Sequence, residues 1–300
     1  MSPFYAERRN KMSKILIMTD SASDISEAEE KELSIDILPF PIMLGGESYI
    51  SRVDFDNEQF YKMMSEHDEI PKTSQITPYQ FVQIYLERAE KGYEHLVYVS
   101  INSKGSMTNQ NAIQAIDLFY EENPEYKDKV FIHVFDGIGY NSFYGTPVVN
   151  AAKMNQSGAS IDEILAYLKD SLNQREVFFG IFDLKYAAKS GRIPTAAALI
   201  GKMLDIKPIM RILNNEITTA VKCRGEKKMM EKLADIAIQE MEPNSPYQLI
   251  YGSDKEALEY LHKVMVERLG HEPEDYFQIG AAIAANAGPK VVGVGLNRKK

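Results

Sequence analysis

The sequence KILIMTDS at residues 14–21 indicates the fold class, because an apolar run of strand length ends there in a polar turn. Two later stretches have the same form: LVYV at 96–99 leads into SINSKGSMT, and VFIHVF at 130–135 leads into Asp136-Gly137. Continuous apolar runs of this length are typical of parallel strands that are covered on both faces. The pattern therefore predicts a parallel sheet with helices between its strands.

A single connecting helix is predicted between the TSQ turn at 73–75 and the strand at 96–99. Thr77 can cap its first turn, Pro78 suits the first helical position, and Gly92 can end it. Crossovers between parallel strands are right-handed, so the polar turns collect at the carboxyl edge of the sheet, where open α/β sheets bind ligands. The hydroxyl-rich turns together with backbone N–H groups predict a site for an anionic head group, a carboxylate or a phosphate.

The second half of the chain has a different pattern and is predicted to form a separate domain. Small polar residues occur around 150–160, and the sequence SIDE at 160–163 is typical of a capping box that opens a helix. The predicted division is a disordered leader at 1–13, an N-terminal parallel α/β domain at 14–157 and a C-terminal mixed α/β domain at 158–300. Within the second domain we expect strands at 177–184, 207–213, 248–251, 276–283 and 290–296, and helices at 226–241 and 253–270, with Ser253 and Glu256 as the capping box of the last.

Composition excludes several classes of protein. The 300 residues carry a formal charge of −9, which argues against a nucleic-acid partner. No apolar stretch has the ~20 residues that an integral membrane segment needs, and a single cysteine rules out an internal disulfide. The expected location is the cytoplasm. The five histidines lack metal-ligand spacing, so no metal site is predicted.

The strongest enzymatic alternative uses carboxylates at the sheet edge. Asp20 and Asp136 both follow predicted strands and, with Arg192, could serve a hydrolase or transferase that acts on a small phosphorylated substrate. Aspartates at strand ends more commonly cap the next turn. Cys223 lies among cations that could lower its thiol pKa, although a cysteine of no function is the simpler interpretation. No esterase, P-loop or dinucleotide motif follows a strand.

Five ordered motifs resemble those of the DegV family, bacterial proteins that bind fatty acids. They are TDSASD at 19–24, TSQ at 73–75, LKYAAKSGRI at 184–193, KPI at 207–209 and GP at 288–289. The resemblance covers residues 14–296. It implies a non-catalytic protein without a cofactor, in which two α/β domains enclose one long-chain fatty acid.

The resemblance also implies where the ligand binds. The fatty-acid carboxylate is expected at Thr73, Ser74, Ser106, Thr108, Arg192 and Asn286. Candidates for contact with the acyl chain are Met43, Phe179, Phe182, Leu199, Ile200, Met203 and Met210, although apolar residues at these spacings more often belong to the core.

Some positions depart from the family pattern. Met107 replaces a glycine, Asn286 replaces a histidine, Gly137 replaces a serine, and Lys290 replaces the last glycine of G-P-G. In kinase-linked members the bound carboxylate is presented to a separate ATP-using fatty acid kinase subunit, which is therefore a candidate partner. A third alternative is a regulatory protein whose degenerate site is filled by side chains such as Met107.

Overall fold

The N-terminal half is built on a four-stranded parallel sheet. In the computed structural model, which describes residues 13–193 and 205–299, its strand order is β2-β1-β6-β7. A small antiparallel sheet of order β4-β3-β5 adjoins it. The strands are β1 Ile15–Asp20, β2 Asp36–Leu38, β3 Pro41–Leu44, β4 Glu47–Ile50, β5 Lys72–Thr73, β6 His95–Ser100 and β7 Phe131–Asp136.

The C-terminal half contains a six-stranded mixed sheet of order β10-β9-β8-β13-β11-β12. Its only parallel pair in the described chain is β11 with β12, and the other neighbours are antiparallel. The strands are β8 Arg175–Ile181, β9 Ile206–Leu213, β10 Glu216–Arg224, β11 Tyr247–Tyr251, β12 Asp275–Gln278 and β13 Val291–Asn297.

Helices of the described chain cover the sheets, α4 against β7 and α5 against β1 in the first half, and α8 and α9 against β13 in the second. In chain order they are α1 Glu27–Leu33, α2 Asn57–Glu66, α3 Pro78–Glu90, α4 Thr108–Glu122, α5 Ser142–Gln156, α6 Ile161–Gln174, α7 Leu184–Ser190, α8 Glu226–Glu240, α9 Lys255–Leu269 and α10 Ala281–Ala287.

The predicted fold class is confirmed, and so are several local assignments. Strands β1, β6 and β7 are parallel neighbours. The Thr77 hydroxyl accepts a hydrogen bond from the Gln80 N–H at 3.3 Å, which completes a capping box at the start of α3. Ser160 caps α6 in the same way through the N–H of Glu163. The parallel sheet lies within 15–136 and the mixed sheet within 175–297, while the boundary at 157 stays a prediction.

Two assignments were wrong at the level of elements. The strand predicted over 276–283 is β12 followed by α10, because a short apolar run fits a strand and a buried helix equally well. Asp254, not Ser253, caps α9, since its carboxylate accepts the Ala257 N–H at 3.1 Å. The predicted leader at 1–13 lies outside the described residues except for its last position.

Candidate functional site

A cavity of about 600 Å³ lies between the two sheets, at the carboxyl edge of the parallel one. The loops that follow β6 and β7 form one side of it, and strands β8, β9, β11 and β13 with helix α10 form the other. Its volume is within the range of about 300–1,000 Å³ that is usual for small-molecule sites. The location agrees with the prediction made from the polar turns.

One wall of the cavity is apolar because alternate residues of the mixed sheet face it. Val177 and Phe179 of β8 line the cavity, whereas Phe178 between them packs in the cluster with α8 and α9 on the opposite face. Successive side chains of a strand point to opposite faces. Neighbouring strands contribute Ile212, Ile250 and Val291.

Helix α10 supplies a second apolar surface at helical spacing. Ile279 precedes the helix, Ala282 and Ile283 follow three and four residues later, and Ala287 comes four residues after Ile283; all of them line the cavity. Residues so spaced share one face of a helix. Asn286 lies on this face as well, and its amide N–H donates to the Ala282 carbonyl at 2.8 Å within the helix.

Hydroxyl groups form the polar side of the cavity. The cavity is lined by Thr73, which ends β5, by Ser74, which follows it, and by Ser106, which precedes α4. The Ser106 hydroxyl is 2.9 Å from the Thr108 hydroxyl. Asn102 shapes this loop, because its carbonyl accepts the Gly105 and Ser106 N–H groups and its side chain accepts the Lys104 N–H. These hydroxyls can donate hydrogen bonds to an anion without adding charge.

Two cations lie at the edge of the same cavity. The Lys104 ammonium is 3.0 Å from the carboxylate of Glu216, the first residue of β10. The Arg192 guanidinium donates to the Ser190 carbonyl at 2.8 Å. The side chains of Lys104 and Arg192 are both exposed. Exposed cations steer an anion more than they hold it, because water and salt screen their charge.

Tyr140 and Gly105 fit closely at the boundary of the cavity. A Cβ atom at position 105 would lie 2.1 Å from the Tyr140 hydroxyl oxygen, so only glycine leaves the ring in place. Burial raises the pKa of Tyr140 to about 12, which keeps its phenol neutral and able to donate a hydrogen bond. Sequence motifs did not single out either residue.

Most of the predicted head-group residues line the cavity. Thr73, Ser74, Ser106, Arg192 and Asn286 do so, while Thr108 is fully buried and contacts the site only through Ser106. Met107 also lines it and remains 47% exposed at the start of α4. A side chain so exposed does not fill the cavity, which disfavours the degenerate-site alternative.

The predicted acyl-chain residues are less well placed. Phe179 lines the cavity, but Met43, Phe182 and Met210 do not. Met43 is 46% exposed between the buried Ile42 and Leu44, because the strand alternates. Phe182 packs in the cluster on the outer face of the mixed sheet, and Met210 is fully buried in the core. Leu199, Ile200 and Met203 lie outside the described residues.

The carboxylates of the enzymatic alternative are held by internal hydrogen bonds. Asp20 accepts the Ala22 and Ile101 N–H groups and the hydroxyls of Tyr98 and Tyr144, and it does not line the cavity. Burial raises the pKa of Asp20 to about 6 despite these bonds.

Asp136 is held as firmly as Asp20. It accepts the N–H groups of Ser103 and Ile138 at 3.0 and 2.9 Å, the Ser103 hydroxyl, and the Asn215 amide at 2.6 Å. Both aspartates therefore shape turns, as the simpler interpretation held.

Other chemistry considered from the sequence finds no support among the described residues. Burial raises the pKa of the Cys223 thiol, opposite to the lowering that an activated thiolate needs. No group of three histidines, cysteines or carboxylates in residues 13–193 and 205–299 is placed to hold a metal ion. Within the same ranges, none of the helices has the length and apolar character needed to cross a bilayer.

The sequence profile of a family of uncharacterised proteins, the DegV family, matches residues 14–299. The chain belongs to the DegV family. A DegV domain-containing protein of Caldanaerobacter subterraneus is 30% identical over 294 residues, which cover 96% of this chain and 100% of that relative. Another, of Lactococcus lactis, is 30% identical over 282 residues, 93% of this chain and 96% of the relative.

Solved structures of DegV proteins have the same fold. A fatty-acid-binding DegV protein of Streptococcus agalactiae superposes with a TM-score of 0.82 at 26% identity, covering 96% of this chain and 100% of the other. A fatty-acid-binding DegV protein of Thermus thermophilus superposes with a TM-score of 0.81 at 26% identity, covering 95% of this chain and 100% of the other. A stearic-acid-binding protein of Eubacterium ventriosum gives 0.85 at 24% identity, covering 96% and 99%, and supports the fold alone.

Within the DegV motif at 19–24, the first three residues have structural roles in this chain. The Thr19 hydroxyl donates to the Val99 carbonyl at 2.8 Å and ties β1 to β6. The Ser21 hydroxyl accepts the Phe40 N–H at 3.0 Å, and Phe40 lines the cavity. Asp20 and Ser21 thus hold the backbone of Ile101 and Phe40, two residues that line the cavity.

Proposed function

We propose that this DegV protein binds one long-chain fatty acid in the cavity between its sheets, with the acyl chain among apolar side chains and the carboxylate at the hydroxyl groups. The observation that carries the proposal is a single cavity lined on one side by Val177, Phe179 and the α10 face and on the other by Thr73, Ser74 and Ser106. The fatty-acid-binding relatives at 26% identity support it.

The energetics assign most of the affinity to the acyl chain. Burial contributes ~0.8 kcal/mol per methylene, and a hydrogen bond to a charged group contributes about 1.5–3 kcal/mol. Two hydroxyl groups therefore contribute less to the binding free energy than a long alkyl chain does. The head-group contacts orient the ligand, and the apolar walls hold it.

Extraction of the purified protein with organic solvent, followed by mass spectrometry, tests the proposal. We expect one fatty acid per chain. A polar metabolite would favour the hydrolase or transferase alternative. An empty protein that also ignores added fatty acid would contradict the proposal.

Filling the cavity is expected to abolish binding. Ala282→Trp places an indole on the cavity face of α10, so the acyl chain loses its space, and we expect at least a ~100-fold rise in Kd because several methylenes can no longer be buried. The control is Ile113→Trp on α4, where the side chain is 50% exposed and does not line the cavity. A fluorescent fatty-acid displacement assay measures both, and equal affinity in the two variants would refute the assignment of the cavity.

Removing the hydroxyls is expected to weaken the binding of the fatty acid much more than the binding of its methyl ester. In the double variant Ser74→Ala and Ser106→Ala we expect Kd for hexadecanoic acid to rise roughly tenfold or more, since hydrogen bonds to the carboxylate are lost. Affinity for the methyl ester, which carries no charge, should change much less. The same loss for acid and ester would mean that the carboxylate lies elsewhere.

The proposal extends to the chemistry that follows binding. We infer that the chain itself is not the catalyst, which is supported by the hydrogen bonds that occupy Asp20 and Asp136. A separate fatty acid kinase subunit would then act on the carboxylate beside Ser74 and Ser106. Incubating the loaded protein with such a kinase and ATP should yield acyl phosphate, and the loaded protein with ATP alone should not.

A further inference from the structure

Helix α10 lines the cavity, but it is short and has no side-chain N-cap of its own. It has seven residues, AAIAANA, and its N-cap position is Gly280, which has no side chain to accept the first N–H groups. Isolated helices of this length are not stable in water. The position of the cavity wall therefore depends on contacts from elsewhere in the fold.

Helix α7 packs against α10, and the side-chain hydrogen bonds at the start of α10 come from the N-terminal half of the chain. The Asp24 carboxylate accepts the Gly280 N–H at 2.8 Å through one oxygen and the Asn141 amide at 2.7 Å through the other. The Tyr61 hydroxyl donates to the Ile279 carbonyl, one residue before Gly280. Thus both backbone groups at the entry to α10 are bound by side chains of the other half.

Gly280 and Asp24 are in close contact. A Cβ atom at position 280 would lie 2.7 Å from an Asp24 carboxylate oxygen, so the helix entry fits against this side chain with no room for another. Asp24 is only 8% exposed, and burial raises its pKa to about 7, with Arg52 and the Asn141 amide acting in the opposite direction. The folded protein thus buries a carboxyl group at a cost, at the point where the two halves meet.

We propose that Asp24 is a positioning residue for the ligand cavity: through the Gly280 N–H it fixes α10, through the Asn141 amide it holds the residue that caps α5, and it thereby sets how closely the cavity fits a long acyl chain. The effect on the ligand rests on the proposed function, whereas the effect on α10 does not. Asn141 itself lines the cavity, so the contact is continuous from Asp24 to the binding surface.

Hydrogen exchange and chain-length selectivity, measured on the same variants, test the proposal. In Asp24→Ala we expect the amides of 281–288 to exchange at least ~10-fold faster, as the loss of a charged hydrogen bond implies, with α9 unchanged. The ratio of affinities for hexadecanoic over decanoic acid should fall by a similar factor. Asp24→Asn should be intermediate, because its amide oxygen can still accept the Gly280 N–H.

The control is Asp36→Ala, which removes a carboxylate paired with Arg88 at 2.8 Å, outside the cavity lining. It should lower stability without changing the selectivity ratio.

If Asp24→Ala does not fold, the variant Gly280→Ala takes its place, because its Cβ atom displaces the Asp24 carboxylate. Unchanged exchange in α10, or an equal effect from Asp36→Ala, would overturn the positioning role. Absence of any fatty acid binding by the unmodified protein would instead overturn the proposed function.

Discussion

Saturated fatty acids of decreasing length are expected to lose affinity for this protein in regular steps. Each pair of methylenes removed should raise Kd about 15-fold, because burial contributes ~0.8 kcal/mol per methylene and 1.4 kcal/mol is a factor of ten. From hexadecanoic to decanoic acid the loss is on the order of a thousandfold. The apolar surface of Val177, Phe179 and Ile283 is what the shorter chain fails to cover.

Isothermal titration of the delipidated protein with the series measures these steps. The heat-capacity change should become less negative as the chain shortens, since less apolar surface is buried. Ile113→Trp should reproduce the unmodified series. An affinity that does not vary with length would mean that the head group dominates and that the apolar wall does not hold the ligand.

Asp20→Ala is expected to cause the largest loss of stability. It leaves the Ala22 and Ile101 N–H groups and the hydroxyls of Tyr98 and Tyr144 without their acceptor in the buried core. A buried donor left without an acceptor costs about 1–3 kcal/mol, so the loss of four such acceptor contacts should lower the free energy of unfolding by about 4 kcal/mol or more. Urea unfolding followed by circular dichroism measures this change.

The pH dependence of the same measurement provides a second test. Burial raises the pKa of Asp20 to about 6, so the folded chain holds the proton more tightly than the unfolded chain, whose carboxyl titrates near 4. This carboxyl therefore contributes stability below pH 4 that is lost as the pH rises from about 4 to 6. Asp20→Asn should make that part of the curve less steep, and Asp24, whose pKa burial raises to about 7, accounts for slope that remains. An unaltered curve would show that the Asp20 carboxyl stays ionised.

Local motifs allowed the sequence to predict the polar side of the cavity. Ser106 lies in the turn after β6, and a parallel sheet brings such turns to one edge, whereas Thr73 and Ser74 lie at the end of β5, which pairs antiparallel with β3. Arg192 lies beside the αL-configured Gly191 that ends α7, another local feature. The fold class predicted the place of the Ser106 turn, whereas Arg192 was expected only from the resemblance to the family.

The apolar side could not be predicted in the same way, because both faces of the mixed sheet are buried. Val177, Phe178 and Phe179 are all apolar and all buried, so their pattern does not show which face meets the ligand. Only the packing of α8 and α9 on one face decides that Phe178 and Phe182 lie away from the cavity. Likewise, the cavity face of α10 could not be predicted, because its first residues belong to an apolar run that is too short to show whether it forms a helix or a strand.

The most direct measurement is X-ray diffraction from crystals of the protein bound to a long-chain fatty acid that carries a terminal bromine atom. We expect an anomalous peak for bromine inside the cavity, among the side chains of β8 and α10, and density for the carboxylate beside Ser74 and Ser106. Bromine located outside this cavity, or a carboxylate buried at the apolar wall, would contradict this expectation.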